Sequence, residues 1–353
     1  MEFVCKFARE NVYKIIILIS FCFILAVLVL TVRAPAYQRF IAHQIGPFDT
    51  LITFIGYAES EAMFEYYSNI VFGRLEELHR YYDIFNAYDG INNLYTINAN
   101  AGVAPVAVNQ DIIDLLLAAH VAYELTDGMV NVALGSVLRI WHEYRISNLD
   151  YATLPQIEAL LVAAKLSDIS HMVIDEDAGT VFLKIPGMSL DVGSIAKGFA
   201  AGLAMEAAAE AGMENMLLNA GGHIVAMGTP RERDAWTAGI SNPFQTELAR
   251  GGEPTFGDAL SVTGASVSTS NNSFRFFTVD GQSFGHIIDP TTLYPAERFV
   301  QVVVMHEESW MADVLSTALF ILPLEKGYIL AEQTGAYGIW IDAEGVYTVS
   351  GQF

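Results

Sequence analysis

The stretch that most constrains this chain is residues 191–228, which read DVGSIAKGFAAGLAMEAAAEAGMENMLLNAGGHIVAMG. A turn bearing Gly193 runs through Lys197 and Gly198 into an Ala-rich segment with apolar residues at helical spacing. Gly212 then interrupts, and the apolar segment LLNAGGHIVAMG follows. The order is loop, helix, loop, strand. Such a turn gathers backbone N–H groups, a helix N-terminus and a lysine, a combination suited to a phosphate or pyrophosphate. The same glycines equally permit a helix to pack closely on a sheet, with Lys197 a solvated residue at the helix start, and this stretch alone does not separate the two readings.

Composition narrows the partners. Forty Asp and Glu against 18 Lys and Arg give a net charge of −22, a surface that repels nucleic-acid phosphates. No GxxxxGK[ST] loop and no strand followed by GxGxxG is present. The two cysteines, Cys5 and Cys22, lie before or within an N-terminal apolar run, so the globular part is expected to hold no disulfide and no Cys-based metal site. That run, residues 15–32 (IIILISFCFILAVLVLTV), is uncharged and follows Lys6, Arg9 and Lys14. It is long enough to span a bilayer with its positive flank inside, placing the globular part outside. A cleavable signal peptide is the rival, because Ala34-Pro35-Ala36 resembles a small-residue cleavage site, although the run is long and Arg33 follows it. The expected organisation is therefore residues 1–36 as cytoplasmic tail and membrane segment, and 37–353 as one globular domain at the cell membrane, on its extracytoplasmic side.

Along the globular part, residues 47–59 read as a strand and residues 61–82 as an amphipathic helix, with Phe64, Tyr67, Ile70, Val71, Leu75, Leu78 and Tyr82 in helical register. Helices are expected over 111–125, 154–165 and 310–322, and strands over 236–241, 259–270 and 299–305. Hairpins are expected over 172–186 and around Asp280-Gly281. There is no internal repeat. This order of elements predicts an α+β domain with mainly antiparallel sheets.

Four segments in sequence, DVGSIAKG, LLNAGGHI, GHIIDP and ADVLSTAL, together resemble the ApbE family of FAD:protein FMN transferases, with similarity from about residue 47 to the C-terminus. The resemblance implies an ApbE-type, T-fold-like domain and the transfer of FMN from FAD to an acceptor hydroxyl. In this family the residues matching Asp313 and Thr317 bind Mg²⁺ with a backbone carbonyl at the position of Ser194, and Ser316 is a further candidate on that helix. Asp313 and Thr317, four apart on a helix, share one face and present two hard oxygens, which fits an ion that takes few protein ligands. Lys197 would supply a fixed cation near the phosphates. Asp191 would lie on the flavin or adenine side, or else merely cap the start of the helix. His286 is the candidate for proton handling, since imidazole accepts a proton near neutral pH. Asp289 would orient it or bind near the metal, and Ile287 would touch the flavin.

Tyr82 matches a flavin-lining tyrosine, with Tyr81 or Phe85 taking that place under a shifted register. Met129, Val130 and Asn131 fall in the family's GxFDxxxGPLxxLW segment, where this chain has Asn131 for the acid and Ser136 for the proline. After GHIIDP the usual RTGYP is TTLYP here, with Leu293 for the glycine. Three functions share these parts. One is an outward-facing transferase forming a phosphoester on Ser or Thr of exported or membrane redox proteins, with AMP released. The others are a Mg²⁺-dependent FAD pyrophosphatase and a membrane-tethered flavin-binding protein without catalysis.

Overall fold

A computed structural model describes residues 37–147, 153–244, 256–272 and 276–351. The apolar run at 15–32 and both cysteines lie outside them. Among the described residues no helix is long and apolar enough to cross a membrane.

The strands are β1 (Gln38–Ile45), β2 (Leu51–Ala58), β3 (Val106–Ala107), β4 (Met172–Asp175), β5 (Thr180–Leu183), β6 (Met216–Ala220), β7 (His223–Met227), β8 (Trp236–Ser241), β9 (Phe256–Val262), β10 (Ala265–Asn271), β11 (Phe276–Val279), β12 (Gln282–Gly285), β13 (Gln301–His306), β14 (Tyr337–Ile341) and β15 (Tyr347–Ser350). The helices are α1 (Glu61–Tyr82), α2 (Leu94–Ala99), α3 (Gln110–Leu125), α4 (Gly135–Ser147), α5 (Ile157–Ala164), α6 (Ala196–Glu210), α7 (Ser309–Ile321) and α8 (Leu324–Thr334). Eight strands form the main sheet in the order β1-β2-β6-β7-β10-β13-β14-β15, and every pairing in it is antiparallel. The α+β, antiparallel expectation holds.

The central strands β6, β7 and β13 are buried along nearly their whole length. Alternation fails there because both faces of the sheet are covered. Helices α1, α6 and α7 pack on one face. The β8–β9 ribbon covers the other, setting Trp236, Ala238, Ile240 and Val262 against Leu217, Ile224, Val303 and Ile339. A smaller cluster joins α4 and α5 to the β11–β12 hairpin around Trp141, Phe277, Phe284 and Leu293.

Local chemistry accounts for the elements that carry the site. Ser60 caps α1 by accepting from the Met63 N–H, and the helix buries Phe64, Tyr67, Val71, Leu75, Leu78 and Tyr82 on one face. Helix α6 lacks such a stripe. Its buried positions are Ala196, Gly198, Ala200, Ala201, Ala204, Met205 and Ala208, small residues that let it lie between α1, α7 and the sheet.

Two expectations need correction. The strand expected over 259–270 is two strands in different sheets, because Gly264 takes a left-handed φ of 58° and turns the chain from β9 into β10. The strand expected over 47–59 begins only at Leu51, since Pro47–Asp49 form a 3₁₀ turn. The hairpin partner β1 was not anticipated.

Candidate active site

Helix α6 begins at Ala196 without a side-chain cap of its own, so its first N–H groups need acceptors from elsewhere. One comes from α7: Asp313 Oδ2 accepts from the Gly198 N–H at 2.9 Å, across 115 residues of sequence. The carboxylate thus sits at the positive end of the α6 dipole. Only glycine allows this approach. A Cβ at 198 would lie 2.6 Å from Asp313 Cβ and 2.7 Å from the Ser309 carbonyl oxygen. The close-packing reading of the turn is realised at Gly198, and the N–H that the other reading offered to a phosphate is taken here by the Asp313 carboxylate.

Asp313 is 4% exposed. Its Oδ1 accepts from Ser268 Oγ on β10 at 3.0 Å, with Lys197 Nζ at 3.9 Å and His223 Nδ1 at 3.9 Å. Ser309 Oγ donates its only proton to the Gly198 carbonyl at 2.6 Å. At its 2.9 Å contact with His223 Nε2 it must therefore accept, so Nε2 carries the imidazole proton. Burial pushes the His223 pKa down to about 4, keeping the ring neutral and leaving Nδ1 a bare acceptor.

The predicted metal residues divide. Thr317 Oγ1 sits on the same helix face as Asp313, 3.5 Å from the Asp313 carbonyl. The Ser194 carbonyl lies between the Val192 carbonyl, which accepts from the Ile195 and Ala196 N–H groups, and the Ile195 carbonyl, which accepts from the Phe199 N–H. The N–H that would reach Ser194 in a regular helix, that of Gly198, goes to Asp313. Ser316 does not join them. It is buried at the sheet interface, donates to the Asp313 carbonyl at 2.9 Å and meets Ser270 Oγ at 2.9 Å. Among the described residues no three His, Cys, Asp or Glu side chains converge on a point. A cation at Asp313 would thus draw on hydroxyl, carbonyl, water and phosphate oxygens, the donor set that Mg²⁺ accepts. The fit rests on Asp313, each of whose oxygens keeps a lone pair beyond its one hydrogen bond. Beside it the buried Nδ1 of His223 is an acceptor without a hydrogen-bond partner, which marks room for a positive group but is not an oxygen donor.

The flavin-side residues are distributed differently. Asp191 accepts from the Gly193 N–H at 2.9 Å, and its own N–H donates to the Val132 carbonyl at 2.8 Å, so the 129–132 segment lies beside the motif. Asn131 caps the 3₁₀ turn Val132–Leu134 through the Ala133 N–H and donates to the Ser167 carbonyl. Val130 is buried and Met129 half-buried. Tyr82 is not a surface ring. It is 4% exposed in the main core, donates to the Asp111 carbonyl at 3.2 Å, and packs edge-on against Phe199. Burial raises its hydroxyl pKa. Of the three aromatic candidates, Phe85 presents most of its surface, 59%, with its ring 5.2 Å from that of His142.

His286 is half-buried and follows Gly285, which packs so tightly on Asn272 that a Cβ there would come within 2.0 Å of Asn272 Oδ1. This places His286 next to the end of β10, the strand that carries Ser268 and Ser270. Ile287 belongs to the main core, and its carbonyl accepts from the Ala296 N–H. The Asp289 carboxylate serves its own turn. Oδ1 accepts from the Thr291 N–H at 2.8 Å and Thr291 Oγ1 at 2.6 Å.

His223, Ser268, Ser309 and Asn98 were missed from sequence. Asn98 clamps both backbone groups of Leu190, immediately before the motif. The histidine in LLNAGGHI was the one visible signal among them.

The ApbE family profile matches residues 49–340. The chain belongs to the ApbE family. Among curated relatives, the FAD:protein FMN transferase of Treponema pallidum is 35% identical over 254 residues, 68% of this chain and 67% of the relative. That of Klebsiella pneumoniae is 31% identical over 249 residues, 70% of this chain and 74% of the relative. An ApbE protein from Thermotoga maritima superposes with a TM-score of 0.77 at 23% identity, covering 89% of this chain and 97% of its own. The flavin transferase ApbE from Vibrio cholerae gives 0.72 at 21% identity, covering 90% and 98%. At these identities the two structures establish the shared ApbE fold.

Proposed function

We propose that this chain is an FAD:protein FMN transferase, dependent on Mg²⁺, that attaches FMN to a Ser or Thr hydroxyl of membrane or exported redox proteins. The observation that carries this reading is the Asp313 carboxylate set on the α6 N-terminus beside Lys197, in a member of the ApbE family.

The acceptor hydroxyl oxygen attacks the phosphorus of the FMN half of FAD. The P–O bond to the AMP phosphate breaks, AMP leaves, and the hydroxyl proton passes to His286. Mg²⁺ held by Asp313, Thr317 and the Ser194 carbonyl would neutralise charge on the pyrophosphate as it builds on the leaving group. Lys197 adds a second positive charge near the phosphates. Gly198 and Ser268 hold Asp313 in a single orientation, so that it need not reorganise during the reaction. Asp191 and the 129–132 segment line the flavin side, with Phe85 rather than Tyr82 offering an exposed ring for it. Asp289 shapes the turn that follows His286. The apolar run at 15–32 would tether the domain to the membrane with the site facing outward.

The test is mass spectrometry of products. Wild-type protein, FAD, Mg²⁺ and an acceptor domain should give an acceptor heavier by FMN, and free AMP. Asp313→Ala should lose at least about 100-fold in rate, roughly 2.7 kcal/mol of barrier, while still binding some flavin. Free FMN and AMP beside an unmodified, validated acceptor would instead indicate a pyrophosphatase, and undiminished turnover in Asp313→Ala would remove the metal assignment.

A further inference from the structure

We propose that His223 donates its Nδ1 lone pair directly to the cation held at Asp313, giving this site one nitrogen ligand and the capacity to hold a first-row metal such as Mn²⁺ as well as Mg²⁺. The proposal rests on the metal assignment made above and adds to it a ligand from β7.

The argument begins with a proton count. Ser309 has one hydroxyl proton, and the Gly198 carbonyl takes it at 2.6 Å. His223 must then donate from Nε2, at 2.9 Å. The neutral imidazole is left with an unprotonated Nδ1, which has no hydrogen-bond partner among the described residues and faces Asp313 Oδ1 across 3.9 Å. Two acceptors therefore confront each other where His223 is 1% and Asp313 4% exposed. An unsatisfied buried acceptor costs about 1–3 kcal/mol, so the arrangement calls for a positive or proton-bearing species between them.

A second proton on the ring is the poorest answer. The ring is 1% exposed, so a charge on it would have no water, and Lys197 already brings an ammonium to 3.9 Å from the same oxygen. A divalent ion answers both acceptors at once. Metal bonds to imidazole nitrogen and carboxylate oxygen run about 2.1 Å, so two of them reach across at most about 4.2 Å. The 3.9 Å gap is inside that limit, and the two groups must draw together by about 0.5 Å for a tetrahedral ion or about 0.9 Å for neighbouring octahedral positions. Lys197, whose side chain is 29% exposed, is free to swing outward as the ion enters. Imidazole suits Fe²⁺, Ni²⁺ and Zn²⁺ best; Mn²⁺, at the foot of that series, favours oxygen but accepts a nitrogen more readily than Mg²⁺ does. The Nε2–Ser309–Gly198 chain fixes both the tautomer and the ring orientation, as partners behind a metal-bound histidine do.

Full-length protein loaded with Mn²⁺ tests this by pulsed EPR, which detects ¹⁴N bonded directly to the ion. Wild type should show that coupling. His223→Gln keeps an amide N–H in place of Nε2 to reach Ser309 but has no Nδ1. It should lose the coupling and bind Mn²⁺ about ten-fold more weakly, with a smaller change for Mg²⁺. Bound Mn²⁺ without ¹⁴N coupling, as a bridging water would give, overturns the proposal, and so does a coupling that survives His223→Gln. Mn²⁺ held equally well by Asp313→Asn overturns the underlying metal assignment, and the proposal with it.

Discussion

Asp313 and Asp289 are both buried carboxylates in motifs of the same chain, yet they are held in opposite ways. Asp313 is fixed by groups brought from three distant elements: the Gly198 N–H at the start of α6, the Ser268 hydroxyl on β10, and the His223 ring on β7 nearby. Asp289 is fixed by Thr291, two residues away, inside one turn. The first carboxylate is a tertiary construction at a helix junction, with lone pairs left for a ligand. The second is a local device that shapes a loop. A buried acid is thus informative about chemistry chiefly through the sequence distance of its partners.

The most severe way to break the distant arrangement leaves Asp313 itself untouched. Gly198→Ala forces a Cβ against the Asp313 Cβ and the Ser309 carbonyl, and backbone cannot yield as a flexible side chain can. A loss of about 3 kcal/mol in urea unfolding is expected, together with loss of transfer activity. Stability unchanged within about 0.5 kcal/mol would show the α6–α7 junction to be looser than described.

Asp289 offers the sharper contrast. Asp289→Asn keeps an acceptor for the Thr291 N–H, so stability should stay within about 0.5 kcal/mol and the transfer rate within about three-fold. Asp289→Ala should cost about 1 kcal/mol. A rate collapse in the Asn variant at unchanged stability would instead assign the carboxylate's charge to the chemistry.

The smallest effect concerns a third carboxylate of the local kind. Asp83 accepts from the Phe85 N–H, the Asn86 N–H and side chain, and the Tyr88 hydroxyl. Burial alone would raise its pKa, but these bonds outweigh it and the pKa is lowered. A lowered folded value means that the unfolded chain takes up the proton first as pH drops. The stability from Asp83 is therefore complete above about 3.8 and drains away as pH falls through the folded pKa. Urea midpoints of wild type and Asp83→Asn should converge on acidification across that window, and parallel curves would contradict the assignment.

Much of this was legible in advance, for reasons that differ by element. The bounds of α1 follow from its apolar spacing and the Ser60 cap, and both signals are local. Asp313 and Thr317 share a face because four residues is about one turn of helix, but such spacing is common on helix surfaces, and it was the ADVLSTAL resemblance that singled the pair out. Tyr82 falls in the apolar register of α1 and is buried with it; the flavin-lining expectation came from the resemblance, whose register the spacing of α1 could not fix. His223 was hidden because a histidine in an apolar strand carries no mark of its partner, Ser309, which lies 86 residues on.

Leu293 shows a limit of another kind. The position usually occupied by glycine holds a left-handed backbone, φ 63°, that leucine rarely adopts. The strain, about 1 kcal/mol or more, is offset by burial of the side chain and by Trp141 Nε1 donating to the Leu293 carbonyl at 2.8 Å. A residue that breaks the expected turn chemistry is tolerated because a ring of the same cluster, brought from α4 across 152 residues of sequence, holds it.

The path of the chain through the main sheet bears on time as well as on shape. The chain leaves the sheet at Ala58 and returns to pair with that same strand only at Met216, after the whole excursion that includes α6. Closing so long a loop carries an entropic barrier before any pairing compensates it, and such non-local topologies fold slowly. Because α6, β10 and α7 must all be in place before Gly198, Ser268 and Asp313 can meet, the Asp313 site cannot form ahead of the long-range closures that build the main sheet.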